Sequence, residues 1–191
     1  MRVISGIAKG RRLRSTGSPE MRPTTDMARQ TIFDMLSGAV RGARVLDLFA
    51  GAGTLGIEAL SRGAREAVFV ESEREACAAI LQNLESTGLR GSGMIRRAEV
   101  LRFLSRPARM PFDLVFLDPP YGRGLGFSSR VLGKIAAGGW TKPGATVVVE
   151  APEGDIDWPP TMREIKHRRF GRTRVSLAVS GEHEGHLSGD V

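Results

Sequence analysis

The residues Asp118-Pro119-Pro120-Tyr121 carry the most specific chemistry in the sequence, because they cut off the apolar run Leu114 to Leu117 with a carboxylate, two rings and an aromatic. The prolines remove two amide donors and fix the backbone. A backbone held in this way aims the Asp118 carboxylate and the Pro119 carbonyl at one point, where both accept hydrogen bonds from a planar amino group. An exocyclic amino nitrogen on a nucleic-acid base is a poor nucleophile, since its lone pair is delocalised into the ring. Two acceptors favour the pyramidal form and turn that lone pair toward an electrophilic carbon. Tyr121, the single tyrosine of the chain, offers a face on which such a base stacks, a contact worth roughly 1–3 kcal/mol. A duplex hides this nitrogen, so the nucleotide must be unpaired or flipped out.

A second group of residues suits the other reactant. In the stretch from Val45 to Gly56, Gly51, Gly53 and Gly56 follow an expected strand and precede an expected helix, the context a G-x-G-x-x-G loop needs. Asp47 lies inside the end of that strand, where a carboxylate is poorly placed for a pyrophosphate. It suits a ligand with a cationic amino-acid end, such as S-adenosylmethionine, with its ammonium and sulfonium groups. Phe49, Gly51 and Gly53 then line the ligand. Glu71, with Ser72 beside it at the tip of the next strand, is positioned to accept hydrogen bonds from a ribose diol. Glu99, or the backbone of Ala98, stands where an adenine edge would lie. The plain alternative for Glu71 and Glu99 is to cap or compensate the helices that follow them.

Both groups must be presented at one edge of a sheet, and the chain alternates in the way that builds one. Expected strands are 43–49, 67–70, 93–97, 112–117 and 145–150, nearly all apolar, as burial on both faces requires. Expected helices are 54–62, 73–87, 99–105 and 127–138, preceded by one from about Thr25 to just before Gly38. Residues 162–170 and 173–179 read as a closing antiparallel hairpin around Gly171-Arg172. At the other end, residues 2–7 and 11–15 read as a small hairpin about Ala8-Lys9-Gly10. The domain reading is a basic N-terminal hairpin and linker at 1–21, a catalytic domain at 22–180 and a tail at 181–191.

At 191 residues and 41% apolar content, the chain suits one compact domain. Its net charge of +7 favours a polyanionic partner. Residues 1–44 hold nine Lys/Arg against three Asp/Glu, and residues 161–174 six against one, whereas 45–160 hold thirteen against fourteen. The basic margins flank a balanced core, so Arg2, Lys9, Arg11, Arg12 and Arg14 are expected to contact phosphates, the alternative being a solvated charged face. The lone Cys77 sits in a helical pattern and reads as packing. It gives no disulfide, and with no apolar span the protein is expected in the cytoplasm, away from membranes and as a monomer. His183 and His186 lack further ligands, so no metal is expected.

Arg22-Pro23-Thr24-Thr25-Asp26, then Ala28-Arg29-Gln30-Thr31-Ile32-Phe33-Asp34, then the run from Leu46 to Gly63 resemble the bacterial 16S rRNA (guanine(966)-N(2))-methyltransferase family, over about residues 2–179. The resemblance implies an α/β, Rossmann-like class I methyltransferase fold. Its mostly parallel seven-stranded sheet has an antiparallel last strand, and helices cover both faces. It further implies methyl transfer from S-adenosylmethionine to one guanine N2 of 16S rRNA, in the 30S subunit or its assembly intermediate. Arg22, Pro23 and Thr24 would lie over the mouth of the site and contact RNA or cofactor. The family commonly has Val-Arg-Glu where this chain has Ala28-Arg29-Gln30, and residues 183–191 have no counterpart. Rival readings are an adenine-N6 or protein-glutamine methyltransferase, which share the Asp/Asn-Pro-Pro-Tyr motif, and a non-catalytic rRNA-binding assembly factor.

Overall fold

The computed structural model describes residues 1–15, 26–120 and 122–181. Strands β1 (Arg44–Leu48), β2 (Glu66–Glu71), β3 (Gly93–Arg97), β4 (Phe112–Leu117), β5 (Thr141–Pro152), β6 (Met162–Phe170) and β7 (Thr173–Ser180) form one sheet. Their order is β3-β2-β1-β4-β5-β7-β6. The first five run parallel, and β7 is antiparallel to both β5 and β6.

Alternation along each strand divides the core in two. Val45, Phe69, Leu114, Phe116 and Val148 point to one face, where they pack with α1 (Asp26–Leu36), α2 (Thr54–Ser61) and α3 (Arg74–Thr87). Leu46, Leu48, Val70, Val115, Leu117 and Val149 point to the other, against α4 (Val100–Phe103) and α5 (Gly124–Ala137). Near-complete burial on both faces explains why these strands carry almost no polar residues. At the carboxyl ends Asp47 and Glu71 are buried and Asp118 and Glu150 are partly so.

Two expected boundaries need correction. Strand β5 begins at Thr141 rather than 145, because Thr141 pairs with Phe112 ahead of a register shift, and Gly144, at φ 79°, supplies the turn that lets the ladder resume at Thr146. Helix α5 begins at Gly124 rather than 127, so Gly124-Leu125-Gly126 forms part of its first turn. The expected N-terminal hairpin is present: Arg2 and Arg12 form an antiparallel bridge, and the Val3, Gly10 and Leu13 N–H groups donate to the Arg11, Val3 and Met1 carbonyls at 2.9, 2.9 and 3.0 Å. Its turn is tied to α2, because the Ile4 and Ser5 N–H groups donate to the Glu58 carboxylate at 2.8 and 3.0 Å, and the Ala8 N–H donates to Ser61 Oγ at 3.0 Å.

Residues 1–15 also pack against the body of the fold. Val3, Ala8 and Leu13 join the core. Gly6 passes so close to α2 that a Cβ there would sit 1.8 Å from the Ser61 carbonyl oxygen, and its φ of 84° is one that side chains resist. Arg29, fully buried on α1, reaches back to the Arg2 carbonyl at 2.7 Å. No helix among the described residues is long and apolar enough to cross a membrane.

Candidate active site

Strand order reverses between β1 and β4, since the chain adds β2 and β3 on one side and β5 on the other. Such a reversal opens a crevice at the carboxyl ends of the two strands. Asp47 pairs with Phe116, so Asp118, two residues past Phe116, stands at the same mouth. The glycine loop and the Asp118 motif, distant in sequence, thus meet where the topology makes room for ligands.

The Asp47 carboxylate is fully enclosed and accepts the Gly56 N–H at 2.9 Å. Burial pushes its pKa up to about 7, with Glu71 raising it further and the Gly56 bond opposing. An enclosed carboxylate of this kind is matched by a cation. Gly56 is needed there, because a Cβ would stand 2.3 Å from the Phe69 ring and 3.0 Å from Asp47 Oδ2.

Glu71 organises the loop from the neighbouring strand. Its Oε1 accepts the Ser72 and Glu73 N–H groups at 2.6 and 2.9 Å, and its Oε2 accepts the Gly51 N–H at 2.8 Å. The Ser72 and Glu73 amides precede α3, which begins at Arg74, so Glu71 pins the turn before the helix rather than capping it, and each carboxylate oxygen has more than one lone pair. Glu99 differs. It is exposed, and its Oε2 accepts the Arg102 N–H at 2.8 Å as the N-cap of α4, while the Ala98 N–H is committed to the Glu71 carbonyl at 2.9 Å.

Phe49, just beyond β1, holds a left-handed backbone at φ 61°. This conformation costs a non-glycine residue about 1–3 kcal/mol and concentrates at functional sites. Its ring lies 5.7 Å from Phe127 of α5, over which the Arg123 guanidinium sits at 4.8 Å. Phe127 opens the helix expected at 127–138, but neither it nor Arg123 was singled out as a site residue.

Asp118, Pro119 and Pro120 line a pocket together with Arg123, Glu150 and Thr173. The Asp118 pKa lies well above the usual carboxylate range, through burial first, then the carboxylates of Glu150 and Asp47. A carboxyl so poised is a good proton acceptor near neutral pH.

Among the basic residues, Lys9 and Arg12 are exposed, Arg2 pairs with Asp26 at 3.6 Å, Arg11 donates to the Ser86 carbonyl at 3.3 Å and Arg14 to Gln82 Oε1 at 2.6 Å. The backbone of Arg14 matters as much. Asn83 of α3 accepts its N–H at 2.7 Å and donates both to its carbonyl at 3.0 Å and to the carbonyl of Ala52, in the glycine loop, at 2.9 Å. Nothing in the sequence pattern marked Asn83. Arg22, Pro23, Thr24 and Tyr121 lie outside the described residues.

Residues 1–179 match the family model described as conserved hypothetical protein 95. The chain belongs to this family. Over 151 residues it is 36% identical to "Ribosomal RNA small subunit methyltransferase D" of Escherichia coli (strain K12), covering 79% of this chain and 74% of that protein. Among solved structures it superposes on "Putative methyltransferase yhhF from Escherichia coli" with a TM-score of 0.86 and 31% identity, over 95% of this chain and 98% of that one. It shares its fold with an RNA methyltransferase from Salinibacter ruber in complex with S-adenosyl-L-homocysteine, with a TM-score of 0.66, 15% identity, and 84% of this chain and 95% of that one covered. The expected seven-stranded Rossmann-like methyltransferase fold and the resemblance to the 16S rRNA guanine-N2 enzymes are borne out.

Proposed function

We propose that this methyltransferase transfers the methyl group of S-adenosylmethionine to the exocyclic N2 of one guanine in 16S rRNA, within the small ribosomal subunit or its assembly intermediate in the cytoplasm. The observation that carries the reading is the convergence of the Asp118-Pro119-Pro120 turn and the Asp47 glycine loop on one topological crevice. The small-subunit rRNA methyltransferase named among its relatives supports the substrate.

The donor set fits the methyl donor. A buried Asp47 answers a ligand ammonium, and Glu71 Oε2 keeps room for a ribose hydroxyl beside Gly51. When bound, S-adenosylmethionine supplies an electron-poor methyl carbon attached to a sulfonium. Asp118 and the Pro119 carbonyl hold the amino group of the base, and the Asp118 carboxylate takes up the proton that nitrogen must shed. Tyr121 is the residue on which the base would stack. Lys9 and Arg12, with Arg22 and Thr24, would meet the RNA backbone.

Two expected outcomes concern the donor site. Glu71→Ala is expected to weaken S-adenosylmethionine binding by about 10–100-fold in calorimetry, the range for a lost hydrogen bond to a charged group; unchanged affinity would remove Glu71 from the site. The second outcome concerns pH. A ligand ammonium favours ionised Asp47, whose pKa without ligand is raised to about 7. Affinity should therefore rise with pH below 7, by close to about tenfold per unit, and level off above it. Binding near pH 6 should release a proton, seen as a dependence of the heat on buffer ionisation enthalpy. The same raised pKa makes the ligand-free fold lose stability as pH climbs from the ordinary carboxylate range toward 7, since the folded state there binds the extra proton.

The function is tested by tritiated methyl transfer to 30S subunits from a strain lacking the gene, followed by nucleoside analysis. N2-methylguanosine at one site supports it. N6-methyladenosine, or label in protein, overturns the substrate.

A further inference from the structure

Glu150 lies beside the reacting carboxylate and has no part in the chemistry described so far. The β4–β5 register places Leu117 against Val149, so the next step along both strands brings Asp118 alongside Glu150. Leu117 and Val149 point to the α4–α5 face, and Phe116 and Val148 to the other. Alternation directs Asp118 and Glu150 together to the face that also carries Asp47. Both carboxylates then line the same pocket, with Pro119, Pro120, Arg123 and Thr173.

Two carboxylates turned into one partly buried pocket repel each other, an arrangement that a ligand with two adjacent donors would relieve. The Watson–Crick edge of guanine has that form, since N1–H and the N2 amino group stand side by side. Adenine puts a lone pair at N1 next to its amino group and would face Glu150 acceptor to acceptor. A glutamine side chain brings one amide and leaves the second carboxylate unmet.

Resting on the guanine reading above, we infer that Glu150 is a specificity residue, accepting the N1–H of the target guanine while Asp118 and the Pro119 carbonyl hold its N2 amino group. Selection among amino groups is thereby made by a residue outside the Asp118-Pro-Pro-Tyr121 motif. Motif residues treat any planar amine alike, whereas Glu150 tests the atom next to it.

The test uses 30S particles reconstituted with 16S rRNA bearing either guanine or 2-aminopurine at the methylated position. The analogue keeps the N2 amino group but presents a lone pair at N1. The wild-type enzyme is expected to methylate it with a kcat/KM about 100-fold or more below guanine, as expected when a site's charged acceptor loses its donor. Glu150→Gln, whose amide can donate to N1, is expected to lose guanine activity while bringing the two substrates within about tenfold of each other. Wild-type activity on 2-aminopurine equal to that on guanine overturns the inference without recourse to any variant. An unchanged guanine preference in Glu150→Gln does the same. No label on guanine particles overturns the guanine reading itself, and the inference with it.

Discussion

Asp118→Ala is expected to slow methyl transfer by about 10³-fold, the combined scale of a lost proton acceptor and a lost positioning contact. Its binding of S-adenosylmethionine should stay within about twofold of wild type, because Asp47 and Glu71 carry those contacts and Asp118 contributes mainly charge. Asp118→Asn separates the two roles. The amide oxygen still accepts a hydrogen bond from the base, but the side chain cannot take a proton. Since burial and the neighbouring carboxylates hold the Asp118 pKa high, wild-type turnover should climb with pH as this group ionises, and the asparagine variant should lose that climb. Stopped-time transfer across pH, with calorimetry of donor binding alongside, decides the matter. A fully active alanine variant, or a variant that loses donor affinity and rate in parallel, would remove Asp118 from the chemistry.

Glu58→Ala is expected to be the most damaging substitution for stability outside the hydrophobic core. The side chain is 1% exposed on α2 and accepts the Ile4 N–H, the Ser5 N–H and Arg62 Nε, the last at 2.7 Å. Its removal strands two backbone donors and a mostly buried guanidinium, a loss of about 3–5 kcal/mol. For a chain of this size that lowers Tm by about 10 °C. Glu153→Ala, which breaks an exposed pair with Arg169, should leave Tm nearly unchanged by comparison. Calorimetric melting of the two variants provides the check, and equal small shifts would mean that the Glu58 bonds add little to the hold on residues 1–15.

The parts of the fold legible in the sequence were those with a local signature. Apolar runs such as 112–117 announce strands buried on both faces, and a run that ends in Asp118-Pro119-Pro120 announces a functional strand end. Asp47 and Glu71 were readable for the same reason, as lone carboxylates closing apolar segments. Glu150 ends its own run in the same manner and was passed over, since no motif surrounds it. Asn83 was invisible because its partners, Arg14 and Ala52, come from distant parts of the chain. The N-terminal hairpin was readable from its alternation, but its anchorage on α2 through Glu58 and Ser61 was not, because those partners lie more than fifty residues away. Propensity records local fit and is silent on such long-range bonding.

Asn83 also fixes a thermodynamic relation. One amide holds the backbone carbonyl of Arg14 and the carbonyl of Ala52 in the glycine loop. If a partner that displaces Arg14 from Asn83 also shifts the loop, occupancy of the loop changes that partner's affinity by the same factor. Through this one side chain, the proposed grip on RNA and the proposed donor site would report on each other.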